Sequence, residues 1–107
     1  MDTQMKKGIL EMCILFKLKD EPLYGYELMK SVREIFPDVY EGSVYTILRR
    51  LKTAGYTAIT QKKSASGPTR KYYGITDTGQ EYLRRSIEEW RTVVSGVSQF
   101  GIKFKIE

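Results

Sequence analysis

Residues 42–55 read GSVYTILRRLKTAG, and this stretch decides the fold because it is a short helix whose two faces differ in chemistry. Val44, Ile47, Leu48 and Leu51 fall at i, i+3, i+4 and i+7, a single apolar stripe facing a core. At about 100° per residue, Thr46, Arg49, Arg50 and Thr53 point the other way, with Tyr45 and Lys52 on one flank and Ser43 on the other. Gly55 is the expected stop, since a residue without Cβ takes the left-handed conformation at C′ without strain. Hydroxyls and guanidiniums on the free face suit the major groove of DNA. The same pattern also fits a solvated amphipathic helix, so the neighbouring segments decide.

On the N-terminal side, residues 24–36 form a second helix with Leu28, Val32 and Ile35 at core spacing and Met29 and Phe36 widening the stripe. Gly25 weakens that helix, which suggests a close approach by a neighbouring element. The short link Pro37 to Tyr40 gives helix-turn-helix spacing, a pattern common to many helical domains. On the C-terminal side the period changes. Tyr56 to Lys62 and Arg70 to Ile75 are rich in Tyr, Thr and Ile, and the turn-forming run 63–69, KSASGPT, separates them. This is a β-hairpin carrying Lys62, Lys63, Arg70 and Lys71, and a helix-turn-helix followed by a basic hairpin is a winged-helix arrangement.

Charge is segregated along the chain. The 107 residues carry a net charge of +5, yet residues 42–76 contain no Asp or Glu and seven Lys or Arg, leaving the remainder at −2. One sign concentrated on one structural unit is the footprint of a polyanion partner. A basic surface serving solubility alone does not predict such segregation.

Two further helices flank this unit. The first runs from about Thr3 to Lys19 with Asp2 or Thr3 as N-cap. Ile9, Met12, Cys13 and Phe16 make one apolar face, and Leu10, Ile14, Leu15 and Leu18 widen it to most of the circumference. A helix this apolar needs cover on more than one side, for which a second subunit is suited. The last helix starts at a D-x-x-Q capping box, Asp77 to Gln80, and runs to Val97 or Phe100. Leu83, Ile87, Trp90, Val94 and Val97 recur at a/d spacing along it. At 1.5 Å per residue it spans roughly 30 to 36 Å, more than one small domain covers. These five residues are therefore expected to form a dimer interface; a helix folded back on its own core is the alternative.

Composition excludes several functions. The chain has no histidine and one cysteine, which removes N/S zinc sites and Ser/His/Asp or Cys/His catalysis. Glu81, Glu88 and Glu89 read as a solvated helix face, so no catalytic residue, metal or cofactor is expected. Cys13, among Met12, Ile14 and Leu15, reads as a buried thiol. No run approaches the ~18 apolar residues of a membrane span, and the start does not read as a signal peptide, so a cytoplasmic location without membrane contact is expected.

The residues Leu23-Tyr24-Gly25-Tyr26-Glu27-Leu28, Gly42 to Leu51 with Gly55, the wing Gly67-Pro68-Thr69-Arg70-Lys71-Tyr72-Tyr73, and Ile75-Thr76-Asp77-Thr78-Gly79 occur in this order. In these the chain resembles the PadR family of winged-helix transcriptional regulators, in its short form. The resemblance implies a mainly α, α+β fold: a winged helix-turn-helix over residues 1–76 with a two-stranded wing, then a dimerisation helix and short tail over 77–107 that is not an independent domain. It also implies a homodimeric repressor on an inverted-repeat operator in double-stranded DNA, with Tyr45 and the polar residues near the helix start touching DNA. Some short members accept planar aromatic or cationic compounds between subunits. One departure is Tyr40-Glu41-Gly42, where family members often carry Ser-Pro-Gly.

The combined reading assigns DNA contact to Ser43, Tyr45, Thr46, Arg49, Arg50, Lys62, Lys63, Arg70 and Lys71, and a ligand-stacking role to Trp90. The competing reading is a winged-helix module that binds a protein partner without DNA. The acid-free segment favours phosphates over a protein interface with an uncharged centre.

Overall fold

The computed structural model describes residues 3–63, 65 and 67–105. In chain order the elements are α1 (Thr3–Leu18), β1 (Leu23–Tyr24), α2 (Gly25–Ile35), α3 (Glu41–Thr53), β2 (Thr57–Lys63), β3 (Thr69–Ile75) and α4 (Asp77–Gln99). The cap expected at Asp2 or Thr3 lies outside the residues whose side chains are described. Three antiparallel strands in the order β1-β3-β2 form one sheet. The hairpin β2–β3 is the expected two-stranded wing. Leu23 pairs with Tyr73 and Tyr24 with Tyr72, adding a third strand across its base.

The core gathers the expected stripe of α3 (Val44, Ile47, Leu48, Leu51), Leu28, Met29 and Val32 of α2, Val39 of the link and Leu83 of α4. From α1 it takes Leu10, Ile14, Leu15 and Leu18. The other apolar stripe of α1 stays outside, with Phe16 and Cys13 exposed and Ile9 and Met12 half-buried. Cys13 is thus not the buried thiol its sequence neighbours suggest, although partial burial still pushes its pKa up. Ile35 is also outside the core, at 74% exposure. Its α2 neighbour Phe36 leaves the helix and packs on the core instead.

Helix ends follow local rules. Tyr56 N–H donates to Leu51 O and Gly55 N–H to Lys52 O, both at 3.0 Å, while Gly55 takes φ +85°; this is a complete Schellman stop for α3. Gly25 admits the ring of Tyr73, which a Cβ there would meet at 3.1 Å, so the close approach expected at this glycine is met. The start of α4 is shifted by one residue from the expected box: the N-cap is Thr76, whose Oγ1 accepts the Gly79 N–H at 3.0 Å. The same hydroxyl donates to Gly55 O at 2.7 Å, and Thr76 N–H donates to Tyr56 O at 3.1 Å. Tyr56 in turn stacks on Tyr82 of α4, rings 4.1 Å apart. The end of α3, the base of the wing and the start of α4 therefore meet at one joint.

Candidate nucleic-acid interface

α3 presents the face opposite its buried stripe to solvent: Ser43, Tyr45, Thr46, Arg49, Arg50, Lys52 and Thr53 are all exposed. No side chain caps its first turn, where Tyr40 holds the N-cap position and its carbonyl takes the N–H groups of Ser43 and Val44. Glu41, the acid that replaces a serine-proline start, pairs with Arg33 at 3.6 Å, and Arg33 Nε also donates to Val39 O at 2.9 Å. The negative charge nearest the helix start is thereby countered within the protein.

The polar side chains differ in how free they are. Thr46 Oγ1 donates to Gly42 O at 2.9 Å, so its hydroxyl proton is used and its lone pairs face outward as acceptors. Burial, followed by the nearby Tyr24 phenol and the Glu41 carboxylate, raises the pKa of Tyr45; the neutral hydroxyl it keeps is a hydrogen-bond donor. Burial likewise raises Tyr73, opposed by the positive charge of Arg49. Arg49 makes no ion pair among the described residues. Arg50 does: it turns to α1 and pairs with Glu11 at 3.0 Å, where the Glu11 side chain is only 12% exposed. Of the two adjacent arginines, only Arg49 carries an uncompensated charge on the free face.

Strand register divides the wing cations. Lys62 opposes Arg70, and Gln61 opposes Lys71, so Lys62 and Arg70 share one face of the hairpin while Lys63 and Lys71 share the other. On the first face, Arg70 lies over Tyr24 at 4.8 Å and Lys62 over Tyr72 at 4.9 Å; the two tyrosine rings are 5.9 Å apart. Each cation rests on an aromatic face that fixes it without neutralising it. The sequence places all four on one loop but gives no sign of this division.

Two cations escaped the sequence reading. Lys6 and Lys7 at the start of α1 line a recess together with Ser43 and Thr46. Lys6 pairs with Asp38 at 3.7 Å, and Lys7 extends the basic surface beside the first turn of α3. They lie outside the acid-free segment, and only the packing of α1 against α3 brings them there.

On α4, Glu81 is chelated by Arg84, which together with Arg85 holds its carboxyl below the usual range. Glu81, Glu88 and Glu89 are all exposed, as a solvated face requires. Leu83 is buried in the chain's own core and Ile87 packs against it; Val94 and Val97 are half-buried and Trp90 is 43% exposed. Leu83 thus has no surface left for a partner. Trp90, Val93 and Tyr82 line a recess of about 260 Å³ against Met5, Ile9 and Met12 of α1. No described helix is long and apolar enough to cross a membrane.

A helix-turn-helix with a free polar face on its second helix and a basic hairpin beside it defines a winged helix-turn-helix domain, here continued by a long C-terminal helix. The chain belongs to the Transcriptional regulator PadR-like family, which matches residues 14–85. The fold is similar to that of a PadR-like transcriptional regulator from Bacillus cereus, 40% identical, covering 95% of this chain and 100% of that one with a TM-score of 0.81. It is also similar to a Streptococcus transcriptional regulator, 29% identical over 94% of this chain and 100% of that one, TM-score 0.84. A PadR family transcription regulator from Clostridium difficile is 32% identical, covering 85% of this chain and 96% of that one, TM-score 0.77. A curated relative from Lysinibacillus sphaericus, 27% identical over 88% of this chain and 89% of its own, carries no functional name. The family and these solved neighbours are transcriptional regulators and not enzymes.

Proposed function

We propose that the protein is a homodimeric, sequence-specific repressor that places α3 of each subunit in the major groove of an inverted-repeat operator. The observation that carries this reading is the free polar face of α3 beside four hairpin cations, on a segment without a carboxylate. Ser43, Thr46 and Arg49 lie toward the first two turns, where a docked helix meets base edges. Tyr45, as a neutral donor, suits a phosphate, as do Lys62, Lys63, Arg70 and Lys71. Arg50 contributes chiefly by holding α3 to α1. Selection of bound sites from a random DNA pool tests the reading: an enriched inverted repeat is expected, and no enrichment at low salt favours a protein-binding module instead.

The dimer is assigned to the outer half of α4, through Ile87, Trp90, Val94 and Val97, together with the exposed stripe of α1. The recess beside Trp90 supports a flat aromatic effector, with Glu89 on its rim to favour a cationic one. Such a ligand releases DNA only through different affinities for two states, typically about 1 to 3 kcal/mol of coupling. Trp90 is the only tryptophan, so its fluorescence reports the site. Quenching that titrates with ligand, and ligand-driven release that disappears in Trp90→Ala, are expected; undiminished release from the Trp90→Ala dimer refutes the assignment.

A further inference from the structure

Two apolar features are left unfilled by the chain itself. Beyond Gly101, whose φ of +102° ends α4, residues 102–105 form no regular structure. Phe100, Ile102 and Phe104 are exposed there by 91, 57 and 47%. Ile102 and Phe104 alternate with Lys103 and Lys105, so in extended form residues 102–105 are apolar on one side and cationic on the other. The second feature is the seam between α1 and α2, where Cys13, Lys17, Ser31, Ile35 and Phe36 rim a recess of about 210 Å³ floored by core residues. Lys17 and Ser31 also line an adjoining recess with Phe16, Asp20, Glu21 and Glu27. Lys19 compensates Asp20, whereas Glu21 and Glu27 make no ion pair among the described residues. The seam therefore changes from apolar at Ile35 to a charged end at Glu27, where three carboxylates outnumber Lys17 and Lys19, complementary to a segment that is apolar and basic.

The segment cannot fill the seam of its own chain. α1 and α4 run antiparallel, with Tyr82 beside Glu11, and Val93 is the last α4 residue lining the recess with α1. The own seam lies level with Tyr82, about 25 Å along the helix from Gln99. A six-residue segment spans at most about 20 Å and would have to reverse and cross α1. The long dimension of the molecule, 54 Å against 29 and 26 Å, is consistent with α4 carrying the segment away from the body.

We propose that residues Ile102–Lys105 of one copy lie in the α1/α2 seam of a second copy, with Ile102 and Phe104 over Cys13 and Ile35 and the lysines toward Glu21 and Glu27. The inference rests on the dimer proposed above and names a second contact for it. The lengths are comparable: Ile35 to Glu27 is about 12 Å of helix, and Ile102 to Lys105 is about 10 Å of extended chain. In a two-fold dimer the same contact occurs twice, filling both seams and covering Cys13 and Phe16 of the α1 stripe.

Because Cys13 is the only cysteine, the contact can be trapped selectively. The wild-type chain is co-expressed with a tagged Cys13→Ser/Ile102→Cys chain and oxidised with diamide. A disulfide joining Cys13 of one chain to the thiol introduced at position 102 of the other, identified by mass spectrometry, is expected. Phe104→Asp should raise the dimer Kd by about tenfold or more, because it would set a carboxylate in the apolar part of the seam. If the wild type sediments as a dimer but no such disulfide forms, or the Kd of Phe104→Asp is unchanged, the seam contact is overturned and the dimer stands. A wild type that sediments as a monomer overturns both.

Discussion

Arg49 and Arg50 are neighbours of identical chemistry, and the structure assigns them different work. Arg50→Ala removes the partner of a Glu11 carboxylate that is 12% exposed, while Arg50 itself is 42% exposed. Fully exposed pairs contribute about 0 to 1 kcal/mol and truncating one partner of a buried pair costs about 3 to 5 kcal/mol, so this half-shielded pair should cost about 1.5 to 2.5 kcal/mol. For a chain of this size that lowers Tm by roughly 6 to 15 °C at fixed protein concentration. Arg49→Ala breaks no internal pair and should leave stability within about 0.5 kcal/mol. Its loss falls on DNA instead, about 1 to 3 kcal/mol for each half-site contact, with a change in preferred bases at one or two positions. Thermal melts by circular dichroism, and anisotropy titrations of the selected operator at one salt concentration, separate the two effects. A double substitution with Glu11→Gln should cost little more than Arg50→Ala alone. If Arg50→Ala melts like the wild type and weakens DNA binding as much as Arg49→Ala, the division of labour is wrong.

Further expectations concern the wing, the joint and α4. With about six to eight phosphates neutralised per dimer, log K should fall with log[salt] at a slope near −5 to −7, and replacing Arg70 and Lys71 by alanine should reduce its magnitude by about 3 to 4 for all sequences alike. A sequence-selective loss in that variant would contradict the assignment of the wing to phosphates. Gly79→Ala sets a Cβ against the Tyr56 carbonyl and against Ile75, and should cost about 2 to 4 kcal/mol despite the gain in helix propensity; urea unfolding at the wild-type midpoint would refute this. Val94→Asp should give a folded monomer by sedimentation, whereas Leu83→Asp should unfold the chain, because Leu83 belongs to its own core.

Much of this architecture is written locally. The α3 stripe at Val44, Ile47, Leu48 and Leu51, the stop at Gly55 and the hairpin ends within one residue follow from periodicity and backbone preference, which act over a few positions. What depended on distant partners was not legible. β1 is two residues long and exists only because Tyr72 and Tyr73, some fifty positions later, offer it an edge. Glu11 gives no sign in sequence that it will hold Arg50, and the split of the wing cations depends on strand register. α1 is apolar nearly all round, so the sequence could not say which stripe turns inward; the one set aside as widening, Leu10 to Leu18, is the buried one. The a/d series on α4 was real as a pattern but ran through two environments, with Leu83 inside the core and Trp90 at the surface.

The joint at Thr76 has a mechanical consequence. One hydroxyl ties the last carbonyl of the α3 stop to the first turn of α4, and the Tyr56–Tyr82 stack braces the same corner. These contacts couple the end of α3 directly to the start of α4. A tilt of about 5° transmitted along a helix of about 34 Å displaces its far end by about 3 Å. In the proposed dimer, a small tilt at this joint changes the distance between the two copies of α3, so very little bending inside either subunit is needed to move one half-site out of register.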